Sequence, residues 1–223
     1  MTLEFEVYWS FRSPYSYIVT PRLVALARNY HVYPQIRIMW PTAIRTPSHF
    51  TRMDPLWRPY FLIDSQRMAE YLDLPFRRPV PDPIIQDPKT NEIAAEQPYI
   101  RRLTHLGLAA NRAGRGLAYI DCVSRMLWGG EVDGWHQGDH LARAASAAGL
   151  DHAALQAEID ADPEGFDQEL RDNEAAERAV GHWGVPAFVF RGEPFYGQDR
   201  FDVLVWRLKQ AGLRQRDGAE EQE

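Results

Sequence analysis

Cysteine is nearly absent from this sequence of 223 residues, in which Cys122 is the only one. A single thiol excludes an internal disulfide, a Cys-x-x-Cys redox pair and a thiolate-rich metal site. Any sulfur chemistry of this chain must therefore use a sulfur atom that another molecule brings. Cys122 itself lies in an apolar helical pattern, which favours a packed small hydrophobic residue over a nucleophile.

Long apolar runs and an excess of positive charge are missing as well. No stretch approaches the roughly 18 uninterrupted apolar residues of a membrane helix, and MTLEFEVYW at the start is not a basic segment followed by an apolar one. We therefore expect a cytoplasmic protein without a membrane partner. The net charge of −6 makes nucleic acid an unexpected partner. What is present, 45% hydrophobic and 12% aromatic residues, is typical of a folded globular protein.

The first forty residues predict a strand, a helix and a second strand. Apolar residues alternate over 3–9, as in a half-buried strand, and a second strand is predicted over 35–40. Between them, Ser13 fits the N-cap of a helix over 14–29, because proline follows it in the first turn. An interruption or kink is expected at Pro21.

The middle of the chain is mostly helical by pattern, and its end returns to strands. The proline-rich stretch 75–90 predicts an ordered excursion or a flexible loop. Strands 187–190 and 194–196 predict a hairpin, and an apolar stripe at i, i+3, i+4 and i+7 predicts a last helix ending at Gly212. The polar residues 213–223 are expected to be disordered. The other predicted helices are 58–72, 93–113, 117–128, 139–148, 151–160 and 165–181.

The order β-α-β, then helices, then β-β-α predicts an α/β fold of the thioredoxin-like type, split by a large helical insertion. We predict a discontinuous thioredoxin-like domain at 1–40 and 181–212, with the inserted helical domain at 41–180. The chemistry of such a fold depends on the turn after its first strand, which here is Ser13-Pro14-Tyr15-Ser16.

Four segments of the sequence carry a family resemblance. They are SPYSY (13–17), VSRMLWGGEVDG (123–134), LRDNEAAERAVGHWGVP (170–186) and GVPAFVFRGEPFYGQDRFDVLVWRL (184–208). Together they resemble the DsbA-like family, and within it the branch of 2-hydroxychromene-2-carboxylate isomerases and kappa-class glutathione transferases. The resemblance spans most of residues 4–210. It implies glutathione as the cofactor and a homodimer as the assembly.

Ser13 is the predicted catalytic residue. Ser13 and Ser16 have the spacing of a Cys-x-x-Cys pair, and Ser13 lies at the positive end of a helix, where an anion is favoured. Its hydroxyl could hold a glutathione thiolate through a charge-assisted hydrogen bond of roughly 1.5–3 kcal/mol. The alternative is that Ser13 only caps the helix. Three residues earlier, where the family often has Asp, this chain has Ser10.

The resemblance implies further contacts with glutathione. Val185-Pro186 would be a cis peptide whose backbone pairs with the cysteinyl unit, although Pro186 could instead simply begin a strand. Gln198 and Asp199 would hold the γ-glutamyl end, and Asp199 is also the expected N-cap of the last helix. The Asn and Lys that the family uses early in the insertion have no clear match. Arg58 is the nearest cationic candidate, with surface solvation as its alternative role.

Aromatic residues near the turn and the proline predict an apolar acceptor site, with Phe11, Tyr15 and Trp183 as its lining. A metal site is not predicted. His136 and His140 have a ligand-like spacing of four residues, but the glycines around them favour a loop that leads into a helix.

The resemblance therefore predicts a glutathione-dependent isomerase. A thiolate held by Ser13 would add to a conjugated aromatic keto acid, allow rotation about a temporarily single bond and then be eliminated. One alternative is a kappa-like transferase that keeps the thioether adduct. Another is a non-catalytic thioredoxin-fold protein that binds peptides along Val185. The three differ in whether glutathione is regenerated, consumed or ignored.

Overall fold

The computed structural model describes residues 2–48, 52–87, 90 and 92–218. A four-stranded sheet with the order β2-β1-β3-β4 forms its centre. Strand β1 pairs in parallel with β2 and antiparallel with β3, which continues into β4 as a hairpin. The strands are β1 (Leu3–Trp9), β2 (Val32–Ile38), β3 (Ala187–Phe190) and β4 (Glu193–Tyr196).

Helices connect the strands and fill the long segment between β2 and β3. Helix α1 joins β1 to β2, α9 follows β4, and α2 to α8 lie between β2 and β3. This topology confirms the predicted thioredoxin-like fold with a helical insertion. The helices are α1 (Pro14–Asn29), α2 (Thr42–Arg45), α3 (Trp57–Tyr71), α4 (Pro98–Arg112), α5 (Gly116–Trp128), α6 (His140–Ala147), α7 (His152–Ala161), α8 (Pro163–Ala179) and α9 (Phe201–Gln210), the last preceded by a 3₁₀ turn, Gln198–Arg200.

The central strand β1 is buried along one face and, at Tyr8, on the other face as well, whereas Glu4 is exposed. Leu3, Phe5, Val7 and Trp9 face the main core, which runs without interruption from the sheet into the inserted helices. Tyr8 faces the opposite side, in a smaller apolar cluster against α8. The alternation in the sequence therefore gives the strand correctly, because successive side chains of a strand point to opposite faces. The boundaries of the two domains stay a prediction.

Helix α1 is continuous through Pro21, so the predicted interruption does not occur, and the alternative, a kink, stays a prediction. Proline at this position removes one backbone hydrogen bond of the helix. Ile18, Val19 and Leu23 on either side of it are fully buried. Packing of these residues stabilises the helix on both sides of the missing bond.

Helices α3 to α8 begin and end within a few residues of the predicted bounds, whereas the short helix α2 was not predicted. The largest difference is at α4, which begins at Pro98 instead of residue 93. Proline suits the first turn of a helix, so it marks this start better than the apolar pattern does. Strand β2 lies at 32–38 instead of 35–40. Within the described part of the chain, no helix has the length and apolar character needed to cross a membrane.

The proline-rich segment after α3 is an ordered excursion as far as it is described. The Tyr17 hydroxyl donates to Pro75 O at 2.6 Å, and Trp135 Nε1 donates to Pro81 O at 2.8 Å. Arg12 binds Asp82 of the same segment. Residues 88–89 at its predicted end lie outside the described residues. These bonds hold the segment beside the turn that contains Ser13.

The predicted disordered tail is wrong at its beginning. His31 N donates to Arg214 O, and Arg216 N donates to Asn29 O, both at 2.8 Å. Leu213 packs against the core. The chain after α9 is therefore tied to the turn between α1 and β2, because that turn offers backbone groups to pair with. Residues 219–223 lie outside the described residues.

Candidate functional site

The turn between β1 and α1 presents one of its two serines to open space. Ser13 is the N-cap of α1, and its Oγ accepts a hydrogen bond from Ser16 N at 3.2 Å. The predicted cap is confirmed. Ser16 is fully buried, and its own hydroxyl accepts from Ser10 N at 3.5 Å. Ser13 is therefore the serine of this pair that a ligand can reach.

The peptide between Val185 and Pro186 lies against this turn. It is cis, which confirms what the resemblance implied. Ser13 Oγ donates to Val185 O at 3.4 Å, although the two residues are 172 positions apart in the chain. This distance is long for a hydrogen bond between a hydroxyl and a carbonyl, so the contact is weak. A better acceptor can replace Val185 O without a large energetic cost.

A cleft of about 800 Å³ extends from Ser13 and Val185. Helices α2 and α3, the proline-rich segment and the residues before β3 form its walls. A cleft of this size with aromatic walls and a few charged groups fits a small organic anion. The aromatic lining consists of Tyr15, Trp57, Tyr60, Phe61, Phe76, Trp128, Trp183 and Tyr196, and the charged lining of Arg12, Arg58, Arg77, Arg78, Asp54 and Asp82.

Five of the predicted site residues meet in this cleft: Ser13, Tyr15, Arg58, Trp183 and Val185. The Tyr15 hydroxyl is not directed at Ser13, since it donates to an aspartate of α3 at 2.6 Å. Burial, followed by the hydrogen bond to that carboxylate, raises the pKa of Tyr15 above its ordinary value. Tyr15 therefore serves the cleft as a neutral aromatic wall that anchors α3.

Phe11 does not line the cleft, so its prediction as a substrate-pocket residue is wrong. The side chain is 0% exposed, and its ring packs edge-on against Trp9 with the centroids 4.7 Å apart. Gly107 of α4 lies directly beneath it, where an added Cβ would be 2.9 Å from the ring. The two-residue alternation of β1 continues to Phe11 and turns it toward the main core.

Gln198 and Asp199 do not line the cleft either. Gln198 is 5% exposed, and Arg22 donates to its Oε1 at 2.6 Å and to its backbone O at 2.8 Å. Asp199 binds Arg200 at 2.9 Å at the surface. The predicted N-cap role of Asp199 is wrong, because the 3₁₀ turn precedes α9 and Arg200 occupies the cap position. Contacts of these two residues with glutathione stay a prediction.

Tyr196 and Arg12 also line the cleft, although the sequence did not predict them as site residues. The Tyr196 ring lies against the backbone of Gly184, where an added Cβ would be 2.6 Å from a ring carbon. His182 stacks on it, with the ring centroids 4.1 Å apart. Arg12 directly precedes Ser13 and binds Asp82 of the proline-rich segment. The position of Arg12 directly before Ser13 could have identified it as a site residue. Its partner Asp82 could not be predicted, because it lies 70 residues away in the chain.

Two other residues that were considered for chemical roles, Cys122 as a nucleophile and His140 as a metal ligand, do not line the cleft. Cys122 packs half-buried against the core, where burial, followed by the charge of Asp121, raises the pKa of its thiol. His140 Nδ1 accepts a hydrogen bond from Arg143 at 2.7 Å. Across the described ranges, no three His, Cys, Asp or Glu side chains are grouped closely enough to hold a metal ion.

The sequence and the structure of this chain are similar to those of known proteins. The family profile of the DSBA-like thioredoxin domain matches residues 4–209. A 2-hydroxychromene-2-carboxylate isomerase is similar in structure, with a TM-score of 0.70 and 20% identity over 94% of this chain and 96% of that one. A search of curated proteins found no match.

Two oxidoreductases share the fold as well. A probable DsbA oxidoreductase from Streptomyces coelicolor has a TM-score of 0.64 and 22% identity over 94% of this chain and 89% of its own. The cytosolic disulfide reductase DsbM from Pseudomonas aeruginosa, in a structure with GSH, has a TM-score of 0.57 and 15% identity over 93% and 100%. At these identities the likeness establishes the fold.

Proposed function

This chain belongs to the family of DSBA-like thioredoxin domains, and we propose that it is a glutathione-dependent isomerase of a conjugated aromatic keto acid. One observation carries the proposal. The reachable hydroxyl of Ser13 lies at a helix N-terminus, weakly bonded to the carbonyl beside a cis proline, at the end of a cleft with aromatic walls.

Disulfide exchange by the chain's own thiols does not fit these residues. Serine occupies both positions of the turn, and Cys122 does not line the cleft. The reactive sulfur must therefore arrive on a second molecule. The similar reductase from Pseudomonas aeruginosa was solved with GSH, which supports glutathione as that molecule. Glutathione is the main cytosolic thiol, in agreement with the predicted cytoplasmic location.

The hydrogen bonds of Ser13 suit a bound thiolate. A serine hydroxyl has one proton to donate and two lone pairs that accept. Ser16 N occupies one lone pair, and the proton is directed to Val185 O at 3.4 Å. A thiolate would take the place of Val185 O as acceptor, and the helix would keep its cap. Ser13 can therefore cap α1 and bind the anion at the same time.

The other residues of the cleft would position the two ligands. The backbone of Val185 can pair with the cysteinyl unit of a peptide, as an added strand does. Arg58 on the α3 side is the candidate partner for a glutathione carboxylate. When bound, glutathione would supply a thiolate that adds reversibly to the conjugated double bond. The aromatic walls would hold the keto acid and keep water away from it.

We retain the homodimer as part of this proposal, because α3 exposes apolar side chains. Tyr60, Ile63 and Tyr71 are 61%, 56% and 80% exposed. We expect Ile63→Asp to sediment as a monomer if α3 forms the interface. Ala154→Asp on the exposed face of α7 is the control and should sediment like the unchanged protein. Sedimentation of the unchanged protein as a monomer would contradict the dimer.

The proposed reaction is tested with an arylidene pyruvate of one double-bond geometry and catalytic amounts of glutathione. Nuclear magnetic resonance follows both double-bond isomers and free glutathione. We expect conversion to the other isomer with no loss of glutathione. Ser124→Ala, which removes a buried hydroxyl of α5 outside the cleft, is the control and should retain this activity. Conversion no faster than with glutathione alone would contradict the proposal, and steady formation of a stable thioether would replace it with transfer.

A further inference from the structure

Where the Ser13 turn meets the proline-rich segment, two arginines bind one carboxylate. Arg12 donates to Asp82 twice, from Nε to Oδ1 at 2.7 Å and from Nη2 to Oδ2 at 3.1 Å. Arg78 Nη2 donates to the same Oδ2 at 2.9 Å. All three residues line the cleft, and Arg12 directly precedes Ser13. Two cations therefore share one anion beside the proposed reacting group.

Asp82 is saturated by this arrangement and remains ionised. Its Oδ1 also accepts from Ile84 N at 3.0 Å, which brings its hydrogen bonds to four. A carboxylate offers about four lone-pair sites, so no capacity is left. Burial alone would raise the pKa of Asp82, but the charge of Arg12 lowers it below its ordinary value. The cluster of Arg12, Asp82 and Arg78 therefore keeps a net positive charge near neutral pH.

The surroundings do not cancel the positive charge of Arg12 and Arg78. Arg12 also donates to the neutral Gln86 side chain at 3.0 Å. Arg77, next to Arg78, lines the cleft as well, but its charge is balanced by an ion pair with Asp133. Among the described residues of the cleft wall, the second acid is Asp54, whose carboxylate accepts from Leu56 N at the start of α3. A local excess of arginine in a protein with a net charge of −6 favours an anionic ligand at this place.

We propose that Arg12 and Arg78 form a subsite for the carboxylate of an aromatic acid. Arginine binds carboxylates through parallel N–H groups, and an added anion reduces the repulsion between the two guanidinium groups. Phe76, two residues before Arg78, stacks on Trp128 with the ring centroids 5.6 Å apart. Both rings line the cleft and offer an apolar surface beside the charges.

This subsite rests on the proposed function in one respect, since the acid bound there would be the second substrate. Its carboxylate would be held next to Ser13, because Arg12 is the neighbouring residue in the turn. Arg58 of α3 would bind glutathione, as proposed above. The cleft would then hold two anions on separate arginines.

The test measures binding without glutathione, by calorimetry with trans-cinnamate and its neutral counterpart trans-cinnamamide. We expect the unchanged protein to bind the acid at least tenfold more tightly than the amide at low salt, and less selectively at high salt. Arg78→Gln should lose most of this preference, and Arg78→Lys should keep part of it. Arg78 is 45% exposed, so neither change should unfold the chain.

The control is Arg143→Gln. Arg143 makes the same type of pair as Arg78, with an aspartate four residues away, but it lies on α6 and does not line the cleft. It should keep the full preference for cinnamate. Equal binding of acid and amide, no saturable binding of cinnamate, or an unchanged preference in Arg78→Gln would overturn the subsite. Loss of the preference in Arg58→Gln alone would also overturn it, because the carboxylate would then lie on the α3 side.

Ser13→Ala separates this inference from the proposed function. It should bind cinnamate as tightly as the unchanged protein, because the subsite does not use the serine hydroxyl. An Arg78-dependent preference in a protein that ignores glutathione would support the subsite and contradict the isomerase. Glutathione-dependent isomerisation by a protein that does not prefer cinnamate to cinnamamide would support the isomerase and contradict the subsite.

Discussion

The turn at Ser13 and the turn at Gln198–Arg200 were both predicted to touch glutathione, yet their side chains are bonded very differently. Ser13 Oγ donates its proton to Val185 O over a distance of 3.4 Å between the two oxygens, and Ser13 lines the cleft. The Gln198 side chain is buried and receives a hydrogen bond of 2.6 Å from Arg22. A polar group that its own protein satisfies well has little to gain from a ligand, whereas a weakly bonded group can exchange partners. The first turn therefore has a hydroxyl that can exchange its partner, whereas the Gln198 side chain of the second turn is fixed within the protein.

The largest expected effect is at the first turn. Ser13→Ala should lower turnover in the proposed isomerisation by roughly ten- to a hundredfold, because it removes a charge-assisted hydrogen bond. Loss of the cap should cost only about 1 kcal/mol of stability. Ser13→Gly should lose as much turnover, but only a few tenths of a kcal/mol, since glycine is a tolerated cap. Steady-state kinetics and urea unfolding test both. Unchanged turnover would reduce Ser13 to a helix cap.

The next effect separates stability from catalysis at the second turn. Arg22→Ala removes both hydrogen bonds to Gln198, together with a cation–π contact of 5.2 Å to the Phe201 ring. We expect a loss of about 1–3 kcal/mol in urea unfolding, because a buried acceptor is left unsatisfied. Turnover should change less than threefold. A loss of turnover comparable to that of Ser13→Ala would show that the second turn takes part in the reaction.

A pH effect is expected at a third place, where a buried ion pair joins α2 to α8. Glu177 and Arg45 are in contact at 3.2 Å with almost no exposure. Burial raises the pKa of Glu177 to about 7, against the opposing charge of Arg45. The folded state then holds a proton that the unfolded state has released, so this residue's contribution to stability falls as pH rises from about 4.5 to 7.

Glu177→Gln should remove that part of the pH dependence. Urea unfolding at several pH values, compared with the unchanged protein, measures it. The difference between the two proteins should shift in favour of the glutamine variant as pH rises through this window. A difference that does not vary with pH would contradict the raised pKa.

The smallest effect is expected at the surface of the second turn. Arg200→Ala removes the exposed pair with Asp199 at 2.9 Å. Exposed pairs contribute about 0–1 kcal/mol, so urea unfolding should hardly change. The KM for glutathione should also stay within about twofold if Asp199 does not bind it. A several-fold change in that KM would support the predicted role of this turn in binding the γ-glutamyl end.

Local patterns account for what could be predicted. Alternation gave β1, and serine followed by proline gave the start of α1, because neighbouring residues determine both features. Distant partners account for what was missed. Asp82 lies 70 residues from Arg12, and Gln198 lies 176 residues from Arg22. Nothing in the sequence near Arg12 or Arg22 indicates its partner. The arginine subsite and the burial of Gln198 could therefore be recognised only in the folded structure. Phe11 is different, since continuing the alternation of β1 by one step would have placed it in the core.

The central claim is that Ser13 stabilises a glutathione thiolate, and the ultraviolet absorbance of bound thiolate, followed across pH, tests it most directly. A free thiol of this kind has a pKa near 8.5. In the complex we expect that pKa to fall by about one to two units, and the decrease to vanish in Ser13→Ala. A bound thiol that titrates like free glutathione, or a decrease that persists in Ser13→Ala, would contradict the claim.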